Sequence, residues 1–313
     1  MKKKGVIGVD IGGSGFRIAG ITPDGKVNGG RKKAPLISRE KDFVIDSLIK
    51  ELKDYISRYN REILGIGIGI PGFFMIKRGI LHSSPNFPGW KMVPIKRLIQ
   101  DEIDIPIFVE NDANAATFGE FWAGAGKGVK NLIFLGLGTG VGGGIIIDGE
   151  ILHGSSGIGG EVGHLIVDPE GPICGCGNHG CIESYASATG IVNNYKIKIE
   201  DSNYDLSDLT AKKVFLMAQK GDRRAKEVFQ NMGRYLGIAI TSLINLLNPD
   251  MVIIGGGVLT SWELFINITK KEIKKRAIRP SAKNVRIVPA HLREKAGLIG
   301  AGGIAWKEIG LLE

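Results

Sequence analysis

Three cysteines and a histidine lie close together between residues 161 and 183 of the sequence. Cys174, Cys176 and Cys181 follow His164, and they are the only cysteines of the chain. Three thiolates and one imidazole form a ligand set of tetrahedral structural zinc. An odd, tightly spaced trio cannot pair completely as disulfides. The spacing therefore predicts a structural zinc site, and the alternative is three reduced thiols in a loop.

Two glutamates, Glu161 and Glu183, lie on either side of this cluster. A metal that orders the loop would also fix their positions, and rigid carboxylates beside a cleft can bind a hydroxyl-rich ligand. His179 lies inside the cysteine loop and is a competing fourth ligand for the metal.

A carboxylate is predicted at the start of a helix near residue 112. Glu110, Asn111 and Asp112 join the end of a predicted strand to the start of a predicted helix. Backbone N–H groups and the helix dipole favour an ionised carboxylate there. Asp112 is either a plain helix cap or a general base that takes the proton of a hydroxyl group. Asn111 is placed to hydrogen-bond the same ligand.

Glycine turns follow several predicted strands. Such turns let backbone N–H groups approach phosphate oxygens, although each alone is also compatible with a tight hairpin. Asp10 precedes the first turn, where its carboxylate could hold Mg²⁺, and Thr139 adds a hydroxyl to the second. Neither turn is a P-loop. Together they favour a nucleotide site formed by Asp10, Gly12, Gly13, Ser14, Gly138, Thr139, Gly140, Gly256 and Gly257.

The apolar periodicity predicts alternating strands and helices. Strands are expected at residues 6–10, 16–21, 64–70, 107–110, 131–137, 145–148, 251–254 and 285–288. Helices are expected at residues 42–59, 94–101, 113–124, 212–247 with a break at Gly221, 262–277 and 298–308. Each half of the chain opens with a strand, a glycine turn and a second strand. This coarse repeat predicts two α/β lobes around a shared cleft.

Composition narrows the class of protein. The chain has 313 residues, of which 43% are apolar and 23% charged, and its net charge is +9. This length favours two lobes. The basic residues are scattered without an aromatic stripe, so we expect no nucleic-acid partner. No apolar stretch approaches 18 residues, so we expect no membrane partner and a cytoplasmic location.

Several motifs are similar to those of the ROK family (repressors, open reading frames, kinases), and within it to the bacterial glucokinases as a group. They are DIGGSGFRIAG, GIGIPG, SPNFPGW, VENDANAATFGE, GLGTGVGGGIIIDGE, GGEVGHLIV, CGCGNHGCIESYASATGI and NPDMVIIGGG. The combination of GEVGH with C-G-C-x4-C is highly specific. Ser14 and Gly160 depart from the usual Thr and Ala of the family.

The resemblance implies an actin-like, ribonuclease-H-like fold of two α/β lobes around a central cleft. A small lobe would span residues 1–111, with a C-terminal helix at 298–313 packed back on it. A large lobe would span 112–297 and carry the zinc loop at 164–181. The implied cofactors are ATP, Mg²⁺ and structural Zn²⁺, and a homodimer or homotetramer is expected.

The resemblance also implies ATP-dependent phosphorylation of the 6-hydroxyl of a hexose, with glucose as the expected substrate. Asp112 would be the base, and the sugar would be bound by Gly72, Asn86, Asn111, Asp112, Glu161, His164 and Glu183. Two alternatives stay open: a kinase for N-acetylmannosamine, fructose or allose, and a sugar-sensing regulator without catalysis. Only nine residues precede Asp10, so we expect no helix-turn-helix before the first turn.

Overall fold

The computed structural model describes residues 3–12, 15–199 and 208–312 of the chain. The strands are β1 Lys4–Gly12, β2 Gly15–Ile21, β3 Val27–Pro35, β4 Glu62–Ile70, β5 Phe73–Met75, β6 Ile80–Ser83, β7 Lys91–Val93, β8 Ile107–Asn111, β9 Leu132–Leu137, β10 Val141–Ile147, β11 Glu150–Ile151, β12 Met251–Gly255 and β13 Arg286–Pro289. The helices are α1 Lys41–Arg58, α2 Ile95–Gln100, α3 Asp112–Ala123, α4 Glu183–Ala186, α5 Ala188–Lys198, α6 Ala211–Gln219, α7 Arg223–Leu247, α8 Trp262–Arg276, α9 Arg279–Asn284 and α10 Ala296–Glu308. These elements confirm the predicted alternation of strands and helices.

The first sheet has the strand order β3-β2-β1-β4-β8. Its first three strands are antiparallel, and β1, β4 and β8 run parallel. Strand β1 is buried along almost its whole length. A strand covered on both faces needs a continuous apolar run, which explains why GVIGVDI lacks the alternation of a half-exposed strand.

The second five-stranded sheet has the order β11-β10-β9-β12-β13. Its strand order repeats that of the first sheet: third, second, first, fourth, fifth. As in the first sheet, the first strand of the set, β9, runs parallel to the fourth, β12, and the fourth to the fifth. The structure thus confirms the coarse repeat that the sequence predicts.

Helix α10 packs against α3, β1 and β4. Glycines make this close approach feasible, because a Cβ at Gly300 would overlap the carbonyl oxygen of Ala115, and a Cβ at Gly67 that of Ala301. The helix is therefore a direct support of α3, whose first residue is Asp112.

Contacts divide the chain into two compact units. The first comprises Met1–Lys130, Gly144–Gly160 and His291–Glu313, and the second comprises Asn131–Gly143 and Glu161–Ala290. This division assigns residues 112–130 to the first unit, whereas the predicted lobe boundary follows residue 111. The lobe boundaries 1–111 and 112–297 remain a prediction about functional lobes.

No helix within the described ranges is long and apolar enough to cross a membrane.

Candidate functional site

Asn111, and not Asp112, caps the N-terminus of α3. The Asn111 Oδ1 atom accepts hydrogen bonds from the backbone N–H groups of Ala113 and Asn114, at 2.9 and 3.0 Å. Asp112 is the first helical residue and is half-buried. Its carboxylate therefore lies in the first turn, where the helix dipole favours the ionised form. A purely capping role for Asp112 loses its support, because Asn111 fulfils that role.

Two of the predicted sugar-binding residues are in direct contact in this unit. The Asn111 Nδ2 group donates to the carbonyl oxygen of Gly72 at 3.0 Å. Gly72 has φ +140°, and a Cβ there would come within 2.9 Å of Ser84. The Ser84 hydroxyl donates to Pro71 and accepts from the backbone N–H of Asn86. The exposed Asn86 is thereby tied to the same turn.

Asp10 lies on the buried strand β1, opposite Arg17 on β2. The Arg17 guanidinium contacts the Asp10 carboxylate at 2.6 Å and donates to the carbonyl oxygen of Glu294 at 2.9 Å. Burial raises the pKa of Asp10, and the charge and hydrogen bond of Arg17 oppose that rise. A carboxylate of this kind suits Mg²⁺ held together with phosphate oxygens. Arg17 is not among the predicted site residues, although its place across a hairpin from Asp10 could have indicated it.

The first glycine turn is only partly described. Gly12 ends β1 and pairs with Gly15. The predicted phosphate-binding residues Gly13 and Ser14 lie outside the described residues.

The second glycine turn lies in the second unit, between β9 and β10. The Gly138 N–H donates to the Gly140 carbonyl at 2.9 Å, and Thr139 is exposed. Glu183 adjoins this turn, because its Oε2 atom accepts the N–H of Val141 at 2.8 Å. The predicted phosphate turn and a predicted sugar-binding carboxylate are therefore neighbours.

The third glycine turn packs against the second. Gly256 has φ +89°, and a Cβ there would overlap the carbonyl oxygen of Leu137, directly before Gly138. Gly257 faces open space. Both turns therefore lie at the same end of the parallel strands β9 and β12.

A cavity of about 290 Å³ opens beside Thr139 and Gly140. Polar side chains of α5 and its N-terminus, among them Ser187, Thr189 and Asn193, line it together with Glu183. Thr189 donates its hydroxyl to the carbonyl oxygen of Thr139 at 2.9 Å. No helix is predicted from the sequence at Ala188–Lys198, so this wall of the cavity was not predicted.

The four predicted zinc ligands come together in the second unit. One ligand atom each from His164, Cys174, Cys176 and Cys181 lies within 4.8 Å of all the others. The Cys174 Sγ lies 3.8 Å from His164 Nδ1, and the Cys176 and Cys181 sulfurs are 3.7 Å apart. A tetrahedral zinc ion with Zn–S bonds of about 2.3 Å requires ligand–ligand distances of about 3.8 Å, so this set fits zinc.

His179 does not join this group among the described residues. Its Nδ1 atom lies 3.0 Å from the carbonyl oxygen of Gly171. His164 is therefore the better fourth ligand. With its Nδ1 facing Cys174, His164 has its Nε2 atom 4.0 Å from Glu161 Oε2. A single imidazole thus connects the metal ligands to a predicted sugar-binding carboxylate.

The protonation of these groups follows from their surroundings. Burial raises the pKa of Cys181 to about 12 and raises that of Cys174, whereas backbone hydrogen bonding lowers that of Cys176. A bound cation is therefore needed to hold Cys174 and Cys181 as thiolates at neutral pH. Desolvation raises the pKa of Glu161, with His164 opposing the rise and Glu183 adding to it.

Two tyrosines attach the metal loop to neighbouring helices. The hydroxyl groups of Tyr185 and Tyr235 donate to Asp168 Oδ2 at 2.9 and 2.8 Å, and their rings stack 3.9 Å apart. These hydrogen bonds lower the pKa of Asp168. Asp168 thus remains a charged acceptor that connects the loop to α4 and α7.

Gly180 is the most constrained position of the metal loop. It has φ +65°, and a Cβ there would overlap the carbonyl oxygen of Asp168. We expect Gly180→Ala to destabilise the protein by at least about 1–3 kcal/mol, because the backbone must leave its conformation, and to lower its zinc content. The matched control is Gly175→Ala, where a Cβ meets nothing within 4 Å. Thermal unfolding and metal analysis of both variants check this, and equal behaviour of the two would contradict it.

Comparisons with known proteins identify a family and several relatives of this chain. Residues 6–308 match the ROK family. A glucokinase of Halalkalibacterium halodurans is 37% identical over 327 residues, which covers 100% of this chain and 98% of the relative. The crystal structure of a ROK family glucokinase from Streptomyces griseus in complex with glucose and AMPPNP has a TM-score of 0.81 at 31% identity, and the match covers 97% of this chain and 99% of that one.

A regulator also shares this fold. The crystal structure of a ROK family transcriptional regulator, a homolog of the E. coli MLC protein, has a TM-score of 0.87 at 27% identity, and the match covers 96% of this chain and 78% of the regulator. Together with the repeated strand order, these similarities confirm the predicted actin-like, ribonuclease-H-like fold class. The residues matched extend over nearly the whole sequence, and the chain belongs to the ROK family.

Proposed function

We propose that this protein is an ATP-dependent kinase that phosphorylates the 6-hydroxyl of a hexose, with glucose as its substrate. The observation that carries the proposal is the β8–α3 junction. There Asn111 supplies the helix cap, and the Asp112 carboxylate follows it in the first turn of α3. The similarity to glucokinases over the full chain supports the same activity and substrate.

The sugar contacts are proposed for residues of each unit. Gly72, Asn86, Asn111 and Asp112 belong to the first unit, and Glu161, His164 and Glu183 to the second. Amide, carboxylate and imidazole groups are the types that hydrogen-bond sugar hydroxyls. The Asn111–Gly72 hydrogen bond and the His164–Glu161 approach support this assignment within each unit.

Phosphate binding is proposed for the glycine turns. Backbone N–H groups of Gly12, Thr139 and Gly140 would face phosphate oxygens, with Gly256 and Gly257 against the adenosine. Gly138 would shape the second turn through its hydrogen bond to the Gly140 carbonyl. Phosphate contacts are likewise proposed for Gly13 and Ser14. Asp10 would hold Mg²⁺, which neutralises charge on the phosphates during transfer.

Asp112 acts as the general base in this mechanism. Phosphoryl transfer requires mainly alignment and charge neutralisation, so the protein has little covalent chemistry to perform. Asp112 accepts the proton of the 6-hydroxyl as its oxygen attacks the γ-phosphorus, and ADP leaves with the electrons of the broken P–O bond. Asn111 fixes the start of α3 and so fixes the direction of the carboxylate.

Zinc is proposed as a structural ion bound by His164, Cys174, Cys176 and Cys181. Its chemical contribution is to cross-link the loop that begins near Glu161 and ends at Glu183. In this role zinc positions two carboxylates for the sugar and takes no part in phosphate transfer.

The proposal is tested by phosphorylation rates with ATP and Mg²⁺ across glucose, mannose, N-acetylated hexosamines, fructose and allose. The highest kcat/KM is expected for glucose. A higher kcat/KM for another hexose would change the proposed substrate and leave the proposed kinase activity in place. Sugar binding without turnover of any of them would instead support a sugar-sensing regulator.

A further inference from the structure

A buried carboxylate lies directly before the proposed base. Glu110 belongs to β8, and only 4% of its side-chain surface is exposed. Its Oε2 atom lies 2.7 Å from Nε2 of His153, a residue 43 positions along the chain. Both residues belong to the first unit. Neither His153 nor Glu110 is a predicted site residue, so this contact is a new feature.

The other oxygen of Glu110 holds the β8–α3 junction. Glu110 Oε1 accepts the backbone N–H of Asn111 at 2.8 Å and the side-chain amide of Asn114 at 3.0 Å. With the His153 ring, three donors thus surround one buried carboxylate. A buried carboxylate is retained at low cost only when such donors satisfy it. The contacts explain how a charge is accommodated here.

These donors lie on both sides of the residue that performs the proposed chemistry. Asn111 precedes Asp112, and Asn114 follows it within the first turn of α3. Glu110 therefore fixes the backbone of Asn111, directly before Asp112, and the side chain of Asn114, about half a helical turn after it. A shift of Glu110 would move the start of the helix and, with it, the direction of the Asp112 carboxylate.

His153 is itself held in place by its own loop. Its carbonyl oxygen accepts the N–H of Gly159 at 2.8 Å, and Leu152 next to it donates to Ile145 at 2.8 Å. Gly157 in the same loop approaches Phe74 so closely that a Cβ would overlap the Phe74 carbonyl oxygen. The backbone that carries the ring is thus held in place, and the ring contacts a carboxylate that is almost fully buried.

We propose that His153 is a positioning residue for phosphoryl transfer: through Glu110 it holds Asn111 and the first turn of α3, and so orients Asp112 towards the sugar hydroxyl. The inference rests on the proposed kinase function. His153 touches neither sugar nor phosphate in this account. It acts mainly on the rate of the chemical step. Sugar binding changes much less, because the Asn111 side chain keeps its own hydrogen bonds to Gly72, Ala113 and Asn114.

Two amide substitutions of His153 separate positioning from general structural support. In His153→Gln the amide nitrogen takes the place of Nε2 and can still donate to Glu110. In His153→Asn the shorter side chain takes the place of Nδ1 and cannot reach it. We expect His153→Asn to lower kcat about 10–100-fold, because a misplacement near 1 Å costs about 10²-fold. We expect His153→Gln to retain kcat within about 3-fold, and both variants to keep the sugar KM within about 3-fold.

Further variants test whether a loss of folding, rather than a loss of positioning, lowers kcat. Glu110→Gln keeps the shape of the side chain but cannot accept from all three donors. Its loss of kcat is expected to be non-additive with that of His153→Asn, because both act through one network. His82→Asn, at an exposed histidine of the same unit, is the control. Thermal midpoints are measured for every variant.

The outcomes distinguish the two proposals. Rescue by glutamine together with non-additive losses supports the positioning role. Equal activity of His153→Gln and His153→Asn, a defect confined to KM, or additive losses would overturn it while the kinase function stands. A wild-type chain that phosphorylates no hexose would overturn both.

Discussion

Asp112→Asn is expected to lower kcat by about 10²–10⁴-fold, the usual contribution of a general base. The substitution preserves the size of the side chain and removes its ability to accept the proton. Because Asn111 caps α3 through its own side chain, the helix start should survive. Sugar affinity, measured by calorimetric titration, should therefore change little while steady-state turnover nearly disappears.

The matched control for this prediction is Asp104→Asn. Asp104 is an exposed carboxylate in the loop between α2 and β8. We expect its removal to leave kcat and the thermal midpoint near the wild-type values. An Asp112→Asn enzyme with near-normal kcat would refute the assignment of Asp112 as the base.

Removal of zinc is expected to lower both stability and sugar affinity. The metal would hold three cysteines that form no disulfide in a short loop, two of them with raised pKa values. Metal-binding free energy contributes directly to folding. Glu161 and Glu183 flank the ligands, so loosening of the loop should weaken glucose binding by about 10-fold or more, which corresponds to about 1.4 kcal/mol.

The measurement compares the protein as purified, after chelation, and after zinc is restored. Metal content, unfolding midpoint and glucose affinity should fall and recover together. Cys176→Ser should imitate the chelated state, whereas His179→Gln should retain zinc because His179 contacts the backbone of Gly171. A chelated protein with unchanged stability and sugar affinity would contradict the coupling.

Most of the fold could be predicted from apolar periodicity. The helices expected at 42–59 and 262–277 occur as Lys41–Arg58 and Trp262–Arg276, and the predicted break at Gly221 separates α6 from α7. Each of these helices buries an apolar face, as in α1 with Val44, Leu48 and Leu52. Burial of one helix face requires apolar residues at helical spacing, and this spacing is visible in the sequence.

Elements that lack an apolar run were missed. Strand β3 has the sequence VNGGRKKAP, which carries no strand signal. It is held at the sheet edge by pairing with β2 and by Tyr55, whose hydroxyl group contacts the Gly29 carbonyl oxygen and accepts the N–H of Gly20. The small sheet β5-β6-β7 was missed for a related reason, since its strands have only three or four residues.

The site was predictable where its residues are close in sequence and not where they are distant. The proposed zinc ligands lie within 18 positions, and residue type and spacing predict the group that the structure brings together. The Asp112 position was predicted to within one residue of the cap, which is Asn111. The Glu110–His153 and Asp10–Arg17 contacts were not predicted, because long-range pairing depends on how the strands are arranged.

The most direct test of the central claim is a ³¹P NMR spectrum of the reaction of the purified chain with glucose, ATP and Mg²⁺. Glucose 6-phosphate and ADP are predicted to accumulate in equal amounts, and 6-deoxyglucose is predicted to yield no sugar phosphate. Absence of any sugar phosphate, or a phosphate attached at another carbon, would contradict the account.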